Sequence, residues 1–132
     1  MGREFFLANS AQSRLLLPAF IYTLSIVSYA QEVITTDTHR LDQIADGVYF
    51  ATGTGDIYTM SNALIIERKD DIVIVDSHIT PAAGRALLDS IRTVCDNPVT
   101  TLINSDFHYD HSNGTPAFGD DLEIIGLEVT YE

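Results

Sequence analysis

The hydrophobic residues of this chain gather in short runs rich in β-branched side chains, separated by glycine, proline and acidic residues. Two nearly continuous apolar runs, at 63–67 and 72–76, flank a polar stretch at 68–71 and predict a β-hairpin. Because these runs do not alternate with polar residues, we expect both faces of the strands to be covered. The pattern therefore predicts a layered structure with packing on each side of a sheet.

One helix and several further strands follow from the remaining pattern. Thr80 and Pro81 are typical of a helix start, and apolar residues then recur at helical spacing until Asn97 and Pro98. Strands are predicted over 48–51, 99–103 and 122–126. The region 31–46 is predicted to be a polar lead-in, in which His39 is solvated.

The segment after the strand predicted at 99–103 concentrates the candidate chemistry. Within six positions it carries Asp106, His108, Asp110 and His111. Imidazole and carboxylate are both good ligands for divalent zinc. Side chains two apart on an extended segment point the same way, so the first two residues of this group are predicted to hold one metal. A helical turn after them would carry the last two toward a second metal, and two metals about 3.5–4 Å apart can activate a shared water.

This segment resembles the metal-binding signature of the metallo-β-lactamase fold superfamily, written H-x-H-x-D-H. The chain reads D-x-H-x-D-H, with Asp106 in place of the first histidine, and Gly114 follows the segment as the signature context requires. The resemblance covers about residues 44–130. It implies an α/β fold (α+β in some schemes), the first half of a four-layer αβ/βα sandwich, preceded here by a signal-peptide helix.

The resemblance also implies the roles of individual residues. The four acidic and imidazole side chains would hold one or two zinc ions, and Asp110 would in addition orient the attacking water as the catalytic residue. Asp76 would support the ligands from behind, although a simple strand-end cap explains it equally well. His78 has no implied role and is predicted to be a partly exposed loop residue. The anionic Asp106 should weaken the metal as a Lewis acid and also favours harder metals such as Mn or Fe.

The composition restricts the kinds of molecule that the chain is expected to bind. The chain has 132 residues and a formal net charge of −12, which allows one domain at most. No cluster of Lys and Arg is available to neutralise a phosphate backbone or an anionic bilayer. The acidity therefore argues against nucleic acid as a partner and, after signal cleavage, against a membrane surface. A small-molecule substrate is expected instead. The single cysteine, Cys95, excludes an internal disulfide.

The first thirty residues are typical of an export signal. Arg3 and Arg14 precede an apolar run at 15–27, and Ser28 and Ala30 form a small-x-small cleavage signal. Residues 1–30 are therefore predicted to be a signal peptide and 31–132 a partial metallo-β-lactamase-like domain that is secreted or periplasmic. The alternative is an uncleaved membrane anchor, although the run is shorter than the ~20 residues that a bilayer span needs.

No histidine follows His111, so the further ligands that the resemblance implies cannot come from this chain. The leading hypothesis is an exported metal-dependent hydrolase, or an N-terminal fragment of one, in which a metal-activated water attacks an ester, lactone, lactam or thioester. The alternative is an inactive, truncated relative that acts as a metal- or protein-binding module. In either case the uncovered face of a half-domain is expected to promote self-association.

Overall fold

A mixed β-sheet organises residues 31–128, the part of the chain that the computed structural model describes. Its seven strands lie side by side in chain order: β1 Val33–Thr35, β2 His39–Ala45, β3 Val48–Gly53, β4 Ala63–Glu67, β5 Ile72–Val75, β6 Val99–Ile103 and β7 Glu123–Ile125. The strands from β1 to β5 pair antiparallel, whereas β5, β6 and β7 pair parallel. The signal peptide predicted over 1–30 lies outside the described residues.

Helical segments make the two crossovers between the parallel strands. Helix α1, Pro81–Ile91, links β5 to β6, and the short helix α2, Tyr109–Ser112, links β6 to β7 together with a 3₁₀ turn, Thr115–Ala117. The Thr80 side chain accepts a hydrogen bond from the Ala83 amide, which confirms the predicted N-cap. Among residues 31–128, no helix has the length and apolar character needed to cross a membrane.

One face of the sheet carries the core. Leu87 and Ile91 of α1 are buried in one apolar cluster with strand residues: Leu41, Tyr49, Ala51, Ala63, Ile65, Ile72, Ile74 and Leu102. On the opposite face Leu64 and Ile66 are only half-buried, and Ile125 is 46% exposed. The predicted hairpin of β4 and β5 is confirmed, but within the described residues a helical layer covers one face only.

The prediction of a polar lead-in over 31–46 is wrong, because that region forms β1 and β2. His39 and Leu41 of β2 are fully buried, whereas Arg40 between them is exposed, which is the alternation of a half-buried strand. His39 had been predicted to be solvated, and the structure corrects this. Its ring is accommodated in the interior because the hydroxyls of Thr38 and Ser90 lie 3.0 and 3.2 Å from Nδ1.

Candidate metal centre

The acidic and imidazole residues of the predicted metal segment lie where two parallel strands end. Asp76 directly follows β5, and residues 104–108 directly follow β6. The Asp76 amide donates to the carbonyl of Ile103 at 2.9 Å, so the ends of the two strands are fixed side by side. The carboxyl ends of parallel strands in layered α/β folds commonly carry functional residues.

Asp76 is the anchor of this region. It is buried, with 6% of its surface exposed, and its backbone has φ of +67°, a conformation that aspartate and asparagine tolerate better than most residues. The Ser105 amide donates to its Oδ1 at 2.8 Å and the Ser105 hydroxyl to its Oδ2 at 2.6 Å. The Nδ1–H of His111 donates to the same Oδ2 at 2.8 Å. Asp76 therefore fixes both the start of the loop and the tautomer of His111.

The hydrogen bond on Nδ1 leaves the other nitrogen of His111 available. Its Nε2 lies 3.4 Å from Oδ2 of Asp110. Burial alone would lower the pKa of His111, but the hydrogen bond to Asp76 and the negative charges of Asp76, Asp110 and Asp106 raise the pKa above its usual value.

Asp106 and His108 form a second pair, which is more exposed. Oδ1 of Asp106 accepts hydrogen bonds from the His108 amide at 2.9 Å and from His108 Nδ1 at 2.6 Å. These two bonds lower the pKa of Asp106. The ring of Phe107 stacks on His108 with centroids 4.1 Å apart. The four predicted ligands thus stand as two His–Asp pairs, of which only His108 and Asp106 are hydrogen-bonded to each other. Residues 31–128 contain no group of three or more His, Cys, Asp or Glu positioned to hold a metal.

Residues 77 and 78 form a strap beneath α2 that the sequence pattern did not reveal. His78 was predicted to be partly exposed, and this is wrong: its ring is fully buried. Burial and the neighbouring His39 lower the pKa of His78 to about 4. The amide of Ser77 donates to the carbonyl of His111 at 2.7 Å, and the amide of Gly114 donates to the carbonyl of His78 at 2.9 Å. The strap therefore holds the C-terminal part of α2 and the residues that directly follow it.

Replacing Asp76 by asparagine should lower the affinity of the chain for zinc by about 10- to 100-fold. Asparagine fits the backbone conformation but removes the charge that fixes the His111 tautomer. Titration calorimetry of both proteins measures the change. Asp42→Asn on β2 is a matched control, because it also removes one negative charge but lies outside the metal segment. Equal affinity in all three proteins would show that Asp76 does not act on the ligands.

The comparisons with known proteins find alkylsulfatases of related sequence and solved structures of similar fold. No protein-family model matches the chain. A linear primary-alkylsulfatase of Pseudomonas sp. (strain ATCC 19151) is 31% identical over 65 residues, which are 49% of this chain and 12% of that protein. Another linear primary-alkylsulfatase of Pseudomonas sp. is 30% identical over 90 residues, which are 67% of this chain and 13% of that protein. The chain thus spans about an eighth of the length of the curated relatives it matches.

Solved structures share the architecture at lower sequence identity. A metallo-β-lactamase from Hirschia baltica superposes with a TM-score of 0.56 at 23% identity, covering 76% of this chain and 44% of that one. A stereoselective inverting sec-alkylsulfatase from Pseudomonas sp. gives the same TM-score at 22% identity, covering 64% of this chain and 14% of that one. At this identity the likeness concerns the fold.

Proposed function

We propose that this chain, which has the metallo-β-lactamase fold, is part of a metal-dependent hydrolase and carries its first group of metal ligands. The observation that carries the proposal is the arrangement around His111. Nδ1 of this ring donates a hydrogen bond to the carboxylate of Asp76 at 2.8 Å, and Nε2 lies 3.4 Å from Oδ2 of Asp110. A histidine whose second nitrogen is held by a carboxylate is the usual form of an imidazole ligand, because the carboxylate fixes the tautomer and raises the basicity.

The donor set suits a divalent cation. His111 and Asp110 would hold it with an imidazole nitrogen and a carboxylate oxygen, and His108 and Asp106 offer the same two donor types nearby. A divalent ion bound there supplies Lewis acidity and lowers the pKa of a water. Within the chain itself, Asp110 would orient that water by accepting a hydrogen bond, while Asp76 keeps the His111 ring from turning. Zinc is the first candidate, and the anionic Asp106 also suits Mn or Fe.

An alkyl sulfate ester is the substrate that we propose first. Two curated relatives are linear primary-alkylsulfatases. Apolar side chains also surround the metal segment: Phe107 and Tyr109 flank His108 and are 52% and 56% exposed. Met60, 52% exposed, precedes Ser61, whose hydroxyl donates to the carbonyl of Asp110 at 2.5 Å. These side chains would cover an alkyl chain next to the reacting ester.

Sulfate release from a long-chain primary alkyl sulfate tests the substrate class. The assay compares this 132-residue chain with any longer product of the same reading frame, each with zinc, with manganese and with a chelator. We expect metal-dependent release by the longer product and near-background release by the chain alone. Because the proposed nucleophile is a metal-activated water, the chelator should abolish turnover. Faster hydrolysis of a lactam or a lactone would overturn the choice of substrate.

The alternative function is a module that binds metal or protein without catalysis. It is favoured by one observation, that residues 31–128 contain no group of three or more His, Cys, Asp or Glu positioned to hold a metal ion. The half-covered sheet face with Leu64, Ile66 and Ile125 would then serve self-association. The nucleotide sequence beyond codon 132 separates the two functions. An open frame with further histidine codons supports the hydrolase, whereas a stop codon supports the module.

Asp106→His should raise the hydrolytic rate of the longer product at neutral pH, or shift its pH–rate profile toward lower pH. The physical reason is that a neutral ligand in place of a carboxylate strengthens the metal as a Lewis acid and lowers the pKa of its water. Rates must be compared at equal metal content, which mass spectrometry determines. An unchanged profile at equal occupancy would mean that Asp106 does not ligate the metal.

Export remains part of the proposal. The basic and apolar pattern of residues 1–30 and the small residues Ser28 and Ala30 support it. Sequencing the N-terminus of protein recovered outside the cytoplasm should give Gln31 as the first residue. A protein that still begins at Met1 and fractionates with membranes would favour the anchor instead.

A further inference from the structure

Two histidines that the metal centre does not use lie together in the interior. The rings of His39 and His78 are both fully buried and stack with centroids 5.1 Å apart. Their Nε2 atoms are 3.1 Å apart. The residues are 39 positions apart in sequence, one on β2 and one on the strap beneath α2. A buried polar pair of this kind is costly unless every polar atom has a partner.

The hydrogen bonds around this pair have one consistent direction. The hydroxyl of Ser61 has a single hydrogen, and it donates that hydrogen to the carbonyl of Asp110 at 2.5 Å, since a carbonyl only accepts. Ser61 must then accept from Nδ1–H of His78 at 3.3 Å. A neutral His78 with its proton on Nδ1 accepts at Nε2, so His39 donates from its own Nε2. Nδ1 of His39 in turn accepts from the hydroxyl of Thr38 at 3.0 Å.

The last acceptor in this series of hydrogen bonds is the backbone carbonyl of Asp110, for which α2 provides no donor of its own. A helix leaves its last four carbonyls without intrahelical donors, and α2 has only four residues. The carbonyl of Asp110 therefore depends on Ser61, just as that of His111 depends on the Ser77 amide. This direction of the hydrogen bonds also requires both buried histidine rings to be neutral. Burial lowers the pKa of His39 and of His78, which keeps both neutral near pH 7.

We propose that His78 is a positioning residue, which, together with His39, forms a directed hydrogen-bond chain that fixes the Asp110 carbonyl through Ser61. The pair would set the orientation of the turn that presents Asp110 and His111. The consequence for metal affinity rests on the proposed function, but the proton positions do not. The hydrogen-bond chain can therefore be confirmed or refuted in the absence of any metal.

Nuclear magnetic resonance of the full 132-residue chain with isotope-labelled histidine tests the proposal. The ring nitrogen spectrum should show the proton of His78 on Nδ1 and that of His39 on Nε2. Two substitutions at His39 form a matched pair. Gln retains an amide donor toward His78, whereas Leu removes it. We expect the Nε2 resonance of His78 and the carbonyl resonance of Asp110 to move in His39→Leu and to stay near wild type in His39→Gln.

Two further variants separate the predicted effect on the Asp110 carbonyl from a general loss of folding. Ser61→Ala should move the Asp110 carbonyl resonance, and Thr100→Val should not, because Thr100 donates its hydroxyl to Asp71 near the opposite end of β6. Zinc affinity should fall about threefold to tenfold in Ser61→Ala, less than for a direct partner of a ligand. A His78 proton on Nε2, or an Asp110 carbonyl unmoved in both Ser61→Ala and His39→Leu, would overturn the proposal. A folded chain that shows the predicted proton positions but binds no zinc would overturn the proposed function alone.

Discussion

Replacing Gly114 by alanine should lower the free energy of unfolding of the chain by about 3 kcal/mol. A Cβ at this position would lie 1.7 Å from the carbonyl oxygen of Ser77 and 2.7 Å from its carbonyl carbon. Both atoms belong to the backbone of the strap, so no side-chain rotation relieves the clash. The strap and the turn after α2 would have to separate, which also breaks the hydrogen bond from the Gly114 amide to His78. Urea unfolding followed by circular dichroism measures the loss.

Gly119→Ala is the matched control for this prediction. A Cβ at Gly119 meets no atom within 4 Å, and the cost is limited to its φ of +92°. That cost is about 1 kcal/mol, the usual penalty of a left-handed conformation. Equal destabilisation by the two alanine substitutions would contradict the close contact between the strap and the metal segment.

Acidification should cost the folded chain about 3 kcal/mol through His78, from the gap between its ordinary pKa of 6.5 and its folded pKa of about 4. Below pH 6.5 the unfolded chain protonates this histidine, whereas the folded chain keeps it neutral until about pH 4. The unfolded state then binds more protons than the folded state. The free energy of unfolding therefore decreases as the pH is lowered across this window and levels off below it. His39, whose pKa is also lowered, acts in the same direction.

Other groups oppose the trend or act outside the window. The raised pKa of His111 stabilises the folded state at low pH, and this contribution is lost as the pH rises through the folded pKa. The lowered pKa of Asp106 has its effect below its usual value of 3.8. His78→Asn, which tolerates the φ of +69° at this position, isolates the main contribution. Its unfolding free energy should change much less between pH 6.5 and pH 4, and a slope equal to that of wild type would contradict the assignment to His78.

The central part of the fold follows from the sequence because its signals are local. The runs 63–67 and 72–76 are apolar and β-branched, and the structure has β4 at Ala63–Glu67 and β5 at Ile72–Val75. Thr80 caps α1 as predicted, although the helix ends at Ile91, before the predicted stop at Asn97. The metallo-β-lactamase fold implied by the metal segment is confirmed by the solved structures.

The buried histidines could not be predicted because their environment is not local. The interior accommodates His39 and His78 because each ring has a hydrogen-bonding partner 39 positions away in sequence. Because histidine counts as a polar residue in a hydrophobic pattern, the sequence did not predict β2, whose inward positions begin with His39. The contact of Asp76 with His111 likewise joins two strand ends that are 35 positions apart in sequence.

A zinc titration of the isotope-labelled chain, followed through the ring nitrogens of its histidines, is the most direct test that His111 is a metal ligand. We expect zinc to shift the Nε2 resonance of His111, while Nδ1 keeps its proton in the hydrogen bond to Asp76. The affinity should be far weaker than that of a closed structural zinc site, because few ligands come from this chain. An unchanged His111 spectrum at saturating zinc, or tight stoichiometric binding of two zinc ions, would show that these residues do not ligate the metal as proposed.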